Sequence, residues 1–335
     1  MNAIEIESPA RLHLGFIDPS GSTGRRFGSL GLALDGLSTR LRLRRVASAR
    51  EAYRVASASA QTELLRAEAQ LARLTGKLGF NAPVSLELLE AIPPHAGLGS
   101  GTQLALAVGY GLARLAGLEL PARDIAAMTE RGARSGIGVG AFEQGGFVVD
   151  GGRGPRTQVP PLIARMNFPA SWRITLIFDP THVGLHGADE ISAFRGLPPF
   201  PVEQATHLAR LTLLTILPAL AEIDFDQFGA ALTEIQAAVG DHFAPAQGGR
   251  FASPHVAHWL RWFAERGATC YGQSSWGPTG FIISATAAEA RRLLAEAKAA
   301  RTPDDPVRFK SVAGRNVGAR VNETDTAREP QPLHS

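Results

Sequence analysis

Apolar and polar positions divide the chain into segments of period two and period three to four. In residues 2–8 (NAIEIES), Ile4 and Ile6 alternate with Glu5 and Glu7, and residues 11–17 (RLHLGFI) alternate again, which predicts two strands. Residues 30–46 read as one long strand, with Leu41 and Leu43 on one side and Arg40, Arg42 and Arg44 on the other as a solvated row. Leu64, Leu71, Leu74 and Leu78 recur at helical spacing and predict a helix over 63–78. Residues 82–92 predict a strand, followed by helices over 103–116 and 121–134, the second with Pro121 suited to a first turn. Residues 145–152 and 172–180 are apolar runs closed by Gly or Pro and predict strands.

Helices are expected near 203–221, 224–239 and 254–266, and strands at 268–273 and 280–286 around a Gly/Ser loop. A helix over 287–300 and a strand over 306–313 follow, and the chain from Asn322 reads as a loose tail rich in Pro, Thr and charge. Helices and strands are mixed without strict alternation and without an internal repeat, so the expected class is α+β.

Composition narrows the function. The 335 residues, 44% hydrophobic and 19% charged, suit one large or two medium globular domains, and no run approaches the roughly 20 apolar residues of a membrane span. No signal-peptide core stands near the N-terminus, so a cytoplasmic location is expected. A net charge of +3 argues against general nucleic-acid binding. Cys270 is the lone cysteine, which excludes an intrachain disulfide or a cysteine zinc site, and His182 and His186 flank a glycine that spoils helical metal spacing. Of the 34 basic residues only Lys77, Lys298 and Lys310 are lysines, so any bound anion is expected to meet arginine and backbone amides.

The segment that suggests such an anion is IPPHAGLGSGTQLAL, residues 92–106. Gly97, Gly99 and Gly101 let the backbone approach a ligand, Leu98 lies between them, and Ser100 and Thr102 add hydroxyls just where a helix begins. No Gly-Lys-Ser/Thr follows, so this is not a Walker A loop, and the spacing of the dinucleotide fingerprint is absent. From spacing alone, the stretch is either a phosphate cradle or a glycine turn with an N-capping hydroxyl.

Three motifs resolve that ambiguity by resemblance. Residues 93–100 (PPHAGLGS) resemble the phosphate loop of the GHMP small-molecule kinase superfamily, residues 8–15 (SPARLHLG) its first motif, and residues 271–281 (YGQSSWGPTGF) its late glycine-rich motif. The resemblance implies an N-terminal domain like the ribosomal S5 domain-2 fold over 1–165, a ferredoxin-like C-terminal domain over 166–321 and a tail over 322–335. Within the superfamily, residues 9–18, 25–34, 134–152 and 272–281 most resemble the beta-ribofuranosylaminobenzene 5'-phosphate synthases. That family joins phosphoribosyl pyrophosphate to 4-aminobenzoate or 4-hydroxybenzoate in tetrahydromethanopterin biosynthesis, with loss of CO2 and pyrophosphate. It implies small-molecule substrates and a homodimer. An ATP-dependent kinase and a non-catalytic ligand sensor are the alternatives. Against the kinase stands the run Ser135-Gly136-Ile137-Gly138, which has glycine where the kinases it resembles carry an aspartate, and Gly101 replaces a second serine.

The implied chemistry requires stabilisation of a departing diphosphate, expected with Mg2+ bridging its phosphates, together with a hold on a benzoate and exclusion of water. Arg11 and Arg26 are candidates for a phosphate or the carboxylate. His13 is either a packed strand residue or a substrate contact. Asp18 is a turn cap or a Mg2+ ligand, and Glu143, set among glycines, is a metal ligand or a ribose contact. Ser274 and Ser275 are candidate donors, and Phe142 and Trp276 either flank the ring or belong to the core. Residues 184–190 (GLHGADE), with His186, Asp189 and Glu190, form a candidate lid or a helix entry.

Overall fold

The alternation at the N-terminus folds as one strand rather than two: β1 runs from Ala3 to Asp18 and pairs antiparallel along β2, Phe27–Arg45. The pairing jumps from Pro9↔Ser38 to Arg11↔Ala33 and shifts again between His13 and Gly15. Ile4 and Ile6 therefore pack in one apolar cluster and Leu12 and Leu14 in another, although all four are even-numbered. The computed structural model describes residues 2–184, 192–193 and 196–324.

Two sheets make up the described structure. The first, of seven strands, has β1 and β2 at its centre, with β3 (Arg54–Ala56), β4 (Val84–Glu90), β5 (Phe147–Asp150), β6 (Leu162–Met166) and β11 (Arg320–Thr324) around them. The second holds β7 (Arg173–Phe178), β8 (Cys270–Gln273), β9 (Gly280–Ser284) and β10 (Arg308–Val312) in the order β10-β7-β9-β8. That order, with helices between β7 and β8 and between β9 and β10, is ferredoxin-like.

Helices α1 (Leu64–Lys77), α2 (Ser100–Leu115) and α3 (Ala122–Met128) cover the first sheet over a cluster containing Ile4, Leu43, Leu86 and Leu106. The cluster built from Leu12, Leu32, Phe147, Phe228 and Phe281 draws on both sheets. Here lie α5 (Val202–Leu211), a five-residue π-helical segment (Thr212–Ile216), α6 (Leu217–Glu222) and α7 (Phe225–Gln247). On the far side of the second sheet, α8 (Pro254–Ala264) and α9 (Ala287–Ala300) bury Trp259, Phe263 and Leu293.

Several sequence expectations change. The helix expected over 121–134 stops at Met128, because Glu130 takes a left-handed φ of 57° and turns the chain out of the helix. A short helix α4 (Ile137–Glu143) follows, where none was expected. The tail expected to be loose from Asn322 is strand through Thr324: β11 pairs with β1, so 320–324 belongs with the first sheet, and Arg114 meets Glu323 at 2.7 Å. The arginine row is solvated and ion-paired, Arg42 lying 2.7 Å from Glu5 and 2.8 Å from Glu87.

One side chain joins the two sheets. Buried Gln236 of α7 donates from Nε2 to the Leu14 carbonyl at 2.8 Å and accepts at Oε1 from the Gln273 N–H at 2.7 Å. A Cβ on Gly272 would collide with it. Gln236→Ala strips partners from two buried backbone groups and is expected to destabilise the fold by about 2–4 kcal/mol. Urea unfolding measures this, and a loss below about 0.5 kcal/mol would show that the link is not structural.

Candidate active site

Strand β4 leads through buried Ile92 into the glycine loop, and the loop turns into α2 at Gly99. Gly97 and Gly99 hold φ of 76° and 83°, a region that side-chain-bearing residues avoid. Thr102 and Gln103 N–H groups donate to the Gly99 carbonyl at 3.0 Å, so the amides of Ser100 and Gly101 stand ahead of the first intrahelical bond.

The three motifs converge on this loop. The Gly97 carbonyl accepts from Arg11 Nη1 at 2.5 Å and from Ser274 Oγ at 2.8 Å. The Arg11 N–H donates to the Leu98 carbonyl at 3.1 Å. Ser274 Oγ accepts in turn from the His13 N–H at 2.9 Å, and the Ser275 N–H donates to the His13 carbonyl at 3.2 Å. Gly277 lies so near Gly97 that a Cβ on either would strike the other's backbone. Ser274 is fully buried and serves the loop from behind, while Ser275 and Trp276 reach the cleft.

That cleft has a volume of about 610 Å3 and is bordered by Arg11, His13, the loop glycines, Ser100, Thr102, Arg131 and Trp276, among others. Part of the lining is aromatic. The rings of His13 and Phe16 meet edge-on at 4.5 Å, Phe243 lies 6.1 Å from Phe16, and Trp276 lies 4.4 Å from Phe243. Part is basic: Arg66 of α1 and Arg131, from the turn after α3, border the cleft beside Gly101, and Arg134 borders it where its charge reaches His13. Sequence reading missed these three arginines. Arg131 and Arg134 immediately precede the Ser135–Gly138 run, a signal that could have found them, whereas Arg66 reads as an ordinary exposed helix position.

His13 is only 3% exposed. Burial, followed by the charges of Arg11 and Arg134, holds its pKa well below 6.5, so the ring is neutral at physiological pH. Its Nδ1 accepts from the Gly15 N–H at 3.4 Å, which leaves Nε2 to carry the proton. Nε2 has no hydrogen-bond partner among the described residues.

Other candidates lie elsewhere. Asp18 is a turn cap: Oδ1 accepts from Ser20 and Gly21 N–H at 3.1 and 2.7 Å, and Oδ2 from the Ser22 N–H and Oγ at 2.6 Å. With both oxygens engaged, it does not fit a metal. Arg26 is exposed, stacks 5.3 Å from the Phe27 ring and does not border the cleft. Glu143 lies at the end of α4 and accepts from the Ala122 and Arg123 amides at the start of α3, so it caps that helix; burial raises its pKa. Phe142 packs on Tyr110 at 5.7 Å within the core. His186, Asp189 and Glu190 of the candidate lid lie outside the described residues.

The Ser135–Gly138 run is fixed by buried Asp150, which accepts from Gly136 N–H at 2.9 Å and Ser135 Oγ at 3.1 Å; burial raises its pKa. Gly138 faces α2, where a Cβ would lie 3.0 Å from the Thr102 methyl, and its carbonyl accepts from Gln103 Nε2 at 2.8 Å. No carboxylate enters the cleft from α4. Glu130 is the one acid bordering it among the described residues, and Glu130 pairs with Arg73. No group of three His, Cys, Asp or Glu among the described residues could hold a metal. These donors do not fit a resident Mg2+ ion; they fit an anion.

Comparison with known proteins agrees with this geometry. The GHMP kinases N terminal domain model matches residues 62–146, and the GHMP kinases C terminal model matches 216–301. The beta-ribofuranosylphenol 5'-phosphate synthase of Archaeoglobus fulgidus is 34% identical over 84% of this chain and 88% of that protein. The protein of the same name from Methanothermobacter thermautotrophicus is 31% identical over 83% and 88%. The chain belongs to the beta-ribofuranosylphenol 5'-phosphate synthase family. Its fold is that of the GHMP kinases. Mevalonate diphosphate decarboxylase from Staphylococcus aureus, only 12% identical, superposes with a TM-score of 0.68 over 96% of this chain and 98% of its own.

Two outcomes test the site's construction. Ser274→Ala leaves the buried His13 N–H without an acceptor and is expected to lower stability by about 1–3 kcal/mol in urea titrations; an unchanged midpoint counts against the motif junction. His13 adds a pH signature. Its unfolded form titrates near 6.5 while the folded form stays neutral, so below that value the unfolded chain binds more protons and stability falls. Replacing His13 with Asn is expected to flatten the loss between about pH 7.5 and 5.5, read from unfolding midpoints at each pH.

Proposed function

We propose that this member of the family catalyses decarboxylating phosphoribosyl transfer in this cleft. Phosphoribosyl pyrophosphate is the donor and 4-hydroxybenzoate or 4-aminobenzoate the acceptor. The product is the aryl riboside 5'-phosphate, with CO2 and pyrophosphate released. The observation that carries the reading is the lining of the cleft: helix amides and guanidinium groups beside Gly101, the rings of His13, Phe16 and Trp276 on the same cleft, and no carboxylate at Gly138 to take a proton.

The chemistry suits those parts. The ribose C1–O bond breaks with its electron pair leaving on pyrophosphate, whose growing negative charge meets the Ser100 and Gly101 amides at the positive end of α2. The acceptor is electron-rich through its para oxygen or nitrogen and attacks C1 through the ring carbon that bears the carboxylate. The carbon–carboxylate bond then breaks, its electrons restore aromaticity, and CO2 departs. Reactants and products balance without a protein nucleophile or a net proton transfer. Phe16 and Trp276, with Phe243 packed against both, provide surface for the ring and keep water from the electron-poor sugar. Neutral His13, edge-on to Phe16 and within reach of the Arg11 and Arg134 charges, provides an uncharged N–H donor where a cation would oppose charge building on the ribose.

Since no group of side chains among the described residues fits a resident metal, Mg2+ is assigned to the donor's own diphosphate, as part of the substrate. A homodimer and a cytoplasmic location complete the proposal, both resting on family likeness. No helix among the described residues is long and apolar enough to cross a membrane.

The full chain incubated with phosphoribosyl pyrophosphate and carboxyl-labelled 4-hydroxybenzoate, and separately with the 4-amino acceptor, is expected to release labelled CO2 and pyrophosphate in equal amounts. ATP-dependent phosphorylation without CO2 overturns the proposal. Ser100→Glu puts a negative charge in the cradle and is expected to abolish turnover while the protein stays folded by circular dichroism. Full activity in that variant moves the donor site elsewhere.

A further inference from the structure

The basic part of the cleft shows an arrangement of side chains that the glycine loop alone does not explain. A Cβ added at Gly101 would lie 2.9 Å from Arg66 Nη2 and 3.5 Å from Arg131 Nη1. Two guanidinium groups, from different elements, therefore converge on the second residue of α2. Arg66 is oriented from behind: its Nη1 donates to buried Glu63 at 2.8 Å, and Nη2 remains beside Gly101. Arg131 makes no side-chain hydrogen bond or ion pair among the described residues. It is half-buried, and burial followed by the neighbouring charges of Arg66 and Arg73 lowers its pKa. Like charges gathered in a partly desolvated place are unfavourable unless an anion joins them. Of the neighbouring acids, Glu63 pairs with Arg66 and Glu130 with Arg73, and neither is hydrogen-bonded to Arg131. A second built group borders the same cleft: the His13 Nε2, in a side chain 3% exposed, has no partner among the described residues.

We propose that Arg66 and Arg131 form a two-guanidinium clamp that grips the donor's diphosphate at the open end of α2, in the space that Gly101 leaves. The assignment rests on the phosphoribosyl-transfer reading for the identity of the donor. Guanidinium forks match phosphate oxygens two at a time, and here they lie beside helix amides, so one anion can meet both. Arg11 serves the other side of the loop, where its Nη1 is bound to the Gly97 carbonyl and its stem packs 3.3 Å from the Cβ position of Gly99. The loop is thus supported from one side and charged from the other. In this cleft arginine provides the charge balance for a diphosphate, because no group of carboxylates among the described residues could hold a metal.

Isothermal titration of the full chain with sodium pyrophosphate tests the clamp. Arg131→Gln is expected to weaken pyrophosphate binding by about tenfold or more, and Arg66→Gln similarly. Arg292→Gln, at an exposed arginine of α9 outside the cleft, is expected to change it less than about twofold, which separates the clamp from a general loss of positive charge. Arg66→Gln also breaks the pair with buried Glu63 and can unfold the protein, so Arg131→Gln, which leaves no partner behind, carries the test alongside a thermal melt. Ribose 5-phosphate is the second probe. If its binding falls with Arg131→Gln while that of pyrophosphate holds, the pair grips the monoester end and the clamp is wrong as stated. Equal pyrophosphate affinity in wild type and Arg131→Gln, or no binding by wild type, also overturns it. Arginine-dependent pyrophosphate binding without CO2 release leaves the clamp standing and removes the transfer reaction. Full turnover with arginine-independent binding does the reverse.

Discussion

Everything at the cleft depends on the carbonyl of Gly97. It accepts from Arg11 of the first strand and from Ser274 of the late loop, and Ser274 is itself held by the His13 N–H. This single acceptor brings together segments separated by 86 and 177 residues. A left-handed φ at Gly97 and bare Cα atoms at Gly97 and Gly277 make the approach possible. With the loop pinned from behind, its amides face forward before any ligand arrives. Preorganisation of that kind is what stabilises a developing charge at little reorganisation.

The distribution of charge then separates this cleft from one built for proton abstraction. Gly138 lies against Thr102 where a carboxylate would be needed, and Asp150, the nearest buried acid on that run, is turned toward the Ser135–Gly136 turn it fixes. Arginines stand along the cleft instead, and neutral His13, Phe16 and Trp276 share its lining with them. A fold shared with small-molecule kinases is thereby suited to reactions driven by the departure of an anion. The change needs no rearrangement of the scaffold, only different side chains at the rim of one loop.

Much of the architecture was legible along the chain. Period-two and period-three-to-four patterns located most strands and helices, since burial on one face imposes those repeats. The left-handed turns of the glycine loop were legible too, because glycine spacing reports backbone conformation directly, whereas a phosphate for that loop came from motif resemblance. The failures have a common cause. Arg131 and Arg134 seemed to continue a helix, and a left-handed turn at Glu130 placed them at the cleft instead. Asp18 and Glu143, attractive beside glycines, satisfy local amides at a turn and a helix start. Asn322 looked like tail, yet the open edge of β1 recruits it into the sheet.

Local sequence therefore determined most of the elements, the turns of the glycine loop and the absence of a carboxylate at position 138, for these depend on residue type and near neighbours. Tertiary structure decided which charges face the cleft and which cap a helix or close a turn. A side chain's partner is chosen by what lies within a few ångströms of it in space, and one left-handed residue is enough to change that company.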